Sequence, residues 1–190
     1  MRKSPDPGEA LRPLFSAGVR EWGLVLVGGV LLWGGFALLN RFIPAFQARD
    51  ATYYPVLVCL VAPAFIVAGV RASIRWGAAT LVGTCFTGLF LGVARAAPPL
   101  LVVPALGVDL WYAYRGTTRG PGGAVMAGFL FAWVFYSVEA AWMFWFVGVG
   151  WPRTEILGGL VFTLLAGMAS GAISYSLGGL LRRVWATVAS

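Results

Sequence analysis

Histidine is absent from the 190-residue sequence. That removes the commonest metal ligand and the one side chain whose ordinary pKa lies near neutrality. Mechanisms that depend on histidine are excluded. Charge is scarce as well: 11% of the residues are charged, where a soluble globular domain carries about 25%. So few polar side chains cannot cover a water-facing exterior, so the exterior is expected to face lipid. Cysteine is confined to Cys59 and Cys85, each inside an apolar run. Two isolated cysteines do not make a disulfide framework, and they read as small buried hydrophobes. The sequence also has no phosphate-binding glycine loop, nucleophile elbow or cysteine–histidine pair. An autonomous hydrolase, kinase or redox enzyme would need side chains that this chain lacks.

What the chain does have is apolar and aromatic. Hydrophobic residues make up 59% of it, with 9 Trp, 13 Phe and 6 Tyr, and Trp and Tyr favour membrane interfaces. At about 20 residues per crossing, five to seven spans fit. The apolar runs predict six: Trp22–Leu39, Tyr54–Val70, Gly77–Val93, Pro98–Tyr114, Gly123–Val147 and Ile156–Leu181. The expected fold class is all-α, a polytopic transmembrane helical bundle. Residues 1–20 form a polar arm, 21–185 the six-helix domain and 186–190 a tail. The first apolar run lacks a clear signal-peptide pattern and is read as a retained helix.

Basic residues set the expected orientation. Arg2, Lys3, Arg12, Arg20, Arg71, Arg75, Arg115, Arg119, Arg182 and Arg183 fall on one side of the alternating spans. Arg41, Arg49, Arg95 and Arg153 fall on the other. Basic loops stay cytoplasmic, so both termini are expected inside a cell membrane, a bacterial inner membrane in this reading. The net charge of +7 is scattered between apolar runs. It does not form the basic stripe of a nucleic-acid binder.

Two acids lie within spans, Asp109 and Glu139. A charge in hydrocarbon costs at least about 2.5–3.5 kcal/mol, so such groups turn inward and either pair, accept hydrogen bonds or stay protonated. They form the candidate intramembrane polar site, with roles as proton relay, substrate contact or cation site on one side and helix capping on the other. Pro104 is expected to kink the fourth span, because it cannot donate to Leu100. Gly88 with Gly92 and Gly167 with Gly171 have the four-residue spacing that lets helices approach closely in lipid. No metal site is assigned to this chain.

Three short stretches follow one another along the chain: Trp76–Gly77–Ala78–Ala79–Thr80, Val103–Pro104–Ala105–Leu106–Gly107–Val108–Asp109–Leu110 and Phe135–Tyr136–Ser137–Val138–Glu139–Ala140–Ala141–Trp142. They are similar to W-G-A-T, V-P-G-A-x-x-L-D and F-Y-P-x-N-W. In this the chain resembles the A subunit, a membrane subunit of particulate methane and ammonia monooxygenases, over roughly Asp50 to Trp142. That family's histidines and its long insertion before the last helix are absent here, and Gly92 is followed by Val93 where the family has glutamate. The resemblance implies a helical partner subunit, with copper held in the partner subunits and none bound by this chain alone. Asp109 is the acidic position it carries over. The resulting expectation is a non-catalytic membrane subunit, with the lipid bilayer and other membrane subunits or further copies of itself as partners. A small-solute or proton-coupled transporter component is the alternative, and a structural or assembly protein the third.

Overall fold

The apolar runs become six helices in the computed structural model: α1 Val19–Phe42, α2 Tyr53–Ser73, α3 Ala78–Val93, α4 Val102–Arg115, α5 Pro121–Trp142 and α6 Arg153–Ala189. The structure describes residues 12–13, 19–42, 53–73, 75–93, 101–117, 120–147 and 153–189. A π-helical turn, Met143–Val147, continues α5. Arg12–Pro13 lies parallel to Arg75–Trp76 in a two-residue pairing, so the N-terminal arm returns to the α2–α3 connection. Pro98, Pro99, Arg49 and Arg95 lie outside the described residues.

Glycine and proline punctuate the chain. Gly116 takes a left-handed φ of 69° after α4, and its N–H donates to the Tyr112 carbonyl at 2.8 Å. Pro121 opens α5 at a position where no N–H is needed. Pro104 does not kink α4. The helix starts at Val102, so Pro104 sits in its first turn, where backbone N–H groups lack helical partners in any case. The interior proline is Pro63 in α2. Its ring nitrogen cannot supply the bond that the Cys59 carbonyl would receive. Helix α6 runs to Ala189, through most of the stretch expected to be a separate tail.

Among the described residues, three helices are long and apolar enough to cross a membrane: Tyr53–Ser73, Pro121–Trp145 and Glu155–Val184. Val25–Leu39 and Ala78–Leu89 are shorter apolar stretches. At 16 and 14 residues, α3 and α4 are about 24 and 21 Å long, less than the roughly 30 Å of hydrocarbon.

Helix α2 is central and contacts each of the other five, most extensively α6. In its most apolar stretch 56% of the residues are buried, against 28% in α6. The exterior is correspondingly apolar: Leu157, Val161, Phe162, Leu165, Ile173 and Leu180 all stand exposed along α6. A continuous face of this kind marks a surface that meets lipid or protein rather than water.

The closest helix crossing is α5 on α6. A Cβ on Gly128 would strike the Gly167 carbonyl, one on Gly171 the Ala124 carbonyl, and one on Gly167 the Ala132 Cβ at 2.5 Å. Gly167 and Gly171 therefore pack within the chain, against Ala124, Gly128 and Ala132, a stripe at the same four-residue spacing. Gly88 is different: it is exposed, and a Cβ there meets nothing within 4 Å. The side of Gly92 lies outside the described residues. The close approach of α3 to α4 falls instead at Gly83, whose Cβ would sit 3.1 Å from both Ala105 Cβ and the Leu101 carbonyl. Gly167→Ala and Gly128→Ala are each expected to cost about 1–3 kcal/mol through overpacking. Gly88→Ala should be neutral or stabilising by up to about 1 kcal/mol. Thermal unfolding in detergent micelles reads the contrast, and an equal response of the three variants would refute the crossing.

Candidate functional site

Helix α3 begins without a cap of its own. Gly77 occupies the capping position at φ 93°, and its carbonyl accepts from the Leu81 N–H at 3.1 Å. Glycine has no side chain to accept from the free N–H groups of the first turn. Asp109 supplies that acceptor from α4. The Thr80 N–H donates to its Oδ2 at 2.7 Å, the Thr80 hydroxyl donates to the same oxygen at 2.6 Å, and the Ala79 N–H donates to Oδ1 at 3.3 Å. The carboxyl group is 2% exposed. It also faces the positive end of the α3 dipole, where an anion is stabilised without any basic side chain. The sequence read Asp109 as a cap or an ion pair near its own helix end. The structure makes it a cap across helices.

Beside this junction runs a groove of about 560 Å³, lined by Trp22, Trp76, Thr80, Leu81, Leu106 and Asp109 among others. Its walls are apolar apart from Asp109, Thr80 and Thr84. Glu139 does not line it.

Glu139 lies at the other end of the bundle. Asp109 stands six residues before Arg115, roughly 9 Å from that helix end. Glu139 stands eighteen residues after Pro121, roughly 27 Å from the same connection. The two acids are thus separated by about 18 Å along the helices and do not meet in one site. Glu139 is 3% exposed and lies near the Cys59 side chain. Around it, Phe135 stacks on Phe131 at 6.2 Å and tilts toward Tyr54 at 6.5 Å. The Tyr136 hydroxyl donates to the Ile156 carbonyl at 2.8 Å, tying the end of α5 to the start of α6. Among the described residues, no three His, Cys, Asp or Glu side chains come together.

A second polar group, not anticipated from sequence, gathers at the Asp109 end. Tyr112 is buried on α4 and lies within electrostatic reach of Arg71 and Arg115. The Arg71 guanidinium also lies 3.9 Å over the Tyr175 ring. The Arg115 guanidinium covers Gly123, whose carbonyl accepts from Trp111 Nε1–H at 3.0 Å. The signal was present in the sequence as arginines at span ends, which serve equally well as topology markers.

No protein family, curated protein or solved structure matches the chain. The site is therefore read from its own geometry.

Asp109→Ala is expected to destabilise the protein by about 1–2 kcal/mol, the cost of losing a helix cap. Asp109→Asn should cost less, because the amide oxygen still accepts from Thr80. Thermal unfolding of the purified protein distinguishes the two, and an unchanged midpoint for the alanine variant would show that the cap does no structural work.

Proposed function

We propose that the chain is a polytopic membrane protein of six transmembrane helices, with both ends cytoplasmic. Its role is that of a non-catalytic helical subunit in a larger membrane complex, of the kind implied by the resemblance to the monooxygenase A subunit. The observation that carries this reading is the use of Asp109. It is the acidic position the resemblance carries over, and its carboxylate is committed to holding α3 against α4. The apolar α6 face, largely uncovered by the chain's own helices, supports a role in contact with lipid and further subunits. Fold likeness alone does not transfer an activity, so the complex is defined here by its architecture rather than by a reaction.

The orientation rests on charge sorting. Arg71, Arg75, Arg115, Arg182 and Arg183 stand at the helix ends near the Asp109 junction, and Arg41 at the opposite end of α1. The short α3 and α4 would cross by local thinning of the bilayer. In a background with Cys59 and Cys85 replaced by alanine, Arg95→Cys is expected to react with an impermeant maleimide from outside intact cells. Arg119→Cys should react only after permeabilisation. Labelling of both from the same side would overturn the six-span topology. Co-purification of stoichiometric membrane subunits is the expected result of mild solubilisation, and a stable lone monomer argues against the complex.

The groove beside Asp109 favours one second reading, a small-solute membrane component. Uptake into vesicles that is lost in Asp109→Asn and Glu139→Gln would establish it, and transport unchanged in both would remove the acid-relay form.

A further inference from the structure

The groove beside the Asp109 junction is drawn from three helices. Trp22 comes from α1, Thr80 and Thr84 from α3, Leu106 and Ala113 from α4, and Trp76 from the turn before α3. Its volume of about 560 Å³ falls within the size range of small-molecule pockets. The hydroxyl groups on its wall have already used their hydrogens. That of Thr80 donates to Asp109 at 2.6 Å, and that of Thr84 donates to the Thr80 carbonyl at 2.8 Å. Each hydroxyl oxygen keeps lone pairs, and a carboxylate only accepts. Apart from the two indole N–H groups, the polar side chains lining the groove therefore offer acceptors. The charge points the same way. The start of α3 carries about half a positive elementary charge, which offsets only part of the carboxylate. Among the described residues no arginine or lysine lines the groove, although Arg75 adjoins Trp76 and Arg115 follows Ala113 by two residues. Indole is the ring that attracts a cation most strongly, and two of them line this wall. Asp109 is 2% exposed, so a charge brought up to it leaves most of the screening water behind.

We propose that this groove binds a hydrophobic ammonium compound, an apolar body carrying a protonated amine. The proposal rests on the small-solute reading of the groove and names the class of solute. The ammonium group donates to the oxygens of Asp109, Thr80 and Thr84, which have lone pairs to give and no hydrogens. The indole rings of Trp22 and Trp76 add attraction for the positive charge, and the leucine wall receives the apolar body. An anion of the same shape meets the carboxylate with like charge. A neutral alcohol keeps one hydrogen bond and loses the attraction of charge. The cap is kept throughout, because the ligand adds donors to the carboxyl group without displacing Thr80.

The test is equilibrium dialysis of the full-length protein in neutral detergent at neutral pH, against protein-free micelles. Phenylbutylammonium, phenylbutanol and phenylbutyrate are the probes, since they share an apolar body and differ in the head group. The wild type is expected to hold the ammonium about 10-fold more tightly than the alcohol, and the carboxylate more weakly than either. Asp109→Asn keeps an acceptor for the cap and removes the charge, so the preference for ammonium over alcohol should fall to about two-fold. Glu155→Gln makes the same change of charge at the opposite end of the bundle and should leave the preference untouched. Ala113 is exposed on the groove wall, and Ala113→Trp should fill the groove and weaken both probes. Equal binding of ammonium and alcohol by the wild type would overturn the proposal without recourse to any variant, and so would tighter binding of the carboxylate. A full preference retained in Asp109→Asn, or an equal loss in Glu155→Gln, would overturn it as well, since the charge would then act from elsewhere. Binding of the alcohol that is lost in Ala113→Trp, with no preference for the ammonium, would leave the small-solute reading standing and remove only the cation. Absence of any binding sensitive to Ala113→Trp would defeat that reading itself.

Discussion

A carboxylate inside an apolar bundle needs compensation, and Asp109 receives it from a helix end rather than from a cation. The first turn of any α-helix leaves N–H groups without intrahelical partners. In α3 the capping position is Gly77, which has nothing to offer them. Two deficits therefore cancel: α4 has a buried charge, and α3 has unsatisfied donors. The Thr80 hydroxyl adds a third bond to the carboxyl group, on the oxygen that already accepts from the Thr80 N–H. The arrangement fixes the register of α3 against α4, and with it Gly83 against Leu101 and Ala105. The walls of the adjoining groove follow from that register.

The other organising constraint is closeness of backbones. Hydrophobic burial does little to hold helices together when the surroundings are themselves apolar, and packing must do the work. The α5–α6 crossing shows how: glycines from both helices remove every Cβ that would keep the backbones apart. Helix α2, in contact with all the others, supplies the centre, and α6 carries much of the outer face. The hydroxyls of Thr84, Thr87 and Ser137 return to carbonyls in the preceding turn of their own helices, so they do not compete with this packing. Thr163 and Ser170 are fully buried on α6 without a hydrogen-bond partner among the described residues.

The helices were legible in the sequence because long apolar runs bounded by arginine, glycine and proline leave few alternatives. The expected second, third and fifth spans agree with the observed helices to within a few residues. Contacts between helices were less legible. The glycine spacing at Gly88 and Gly92 is as good a pattern as that at Gly167 and Gly171. Spacing places two residues on one face, but which face meets a neighbour depends on helix rotation, and local sequence does not encode that. Pro104 was misplaced for a related reason: the effect of a proline depends on where the helix begins, and Val102 begins it late. Asp109 was recognisable as a buried acid needing a partner. Its partner is a backbone, and backbones are the same in every sequence.

The two acids mark opposite ends of the bundle, and this bears on what kind of machine it is. A relay that passes a proton between carboxylates needs them within reach of each other or of a continuous polar path. Here about 18 Å of helix separates Asp109 from Glu139. Glu139, near the Cys59 side chain, belongs to a different setting from Asp109. Asp109 joins α4 to the start of α3. Two acids set this far apart do not form a direct carboxylate relay, and Asp109 works instead as a cap between helices.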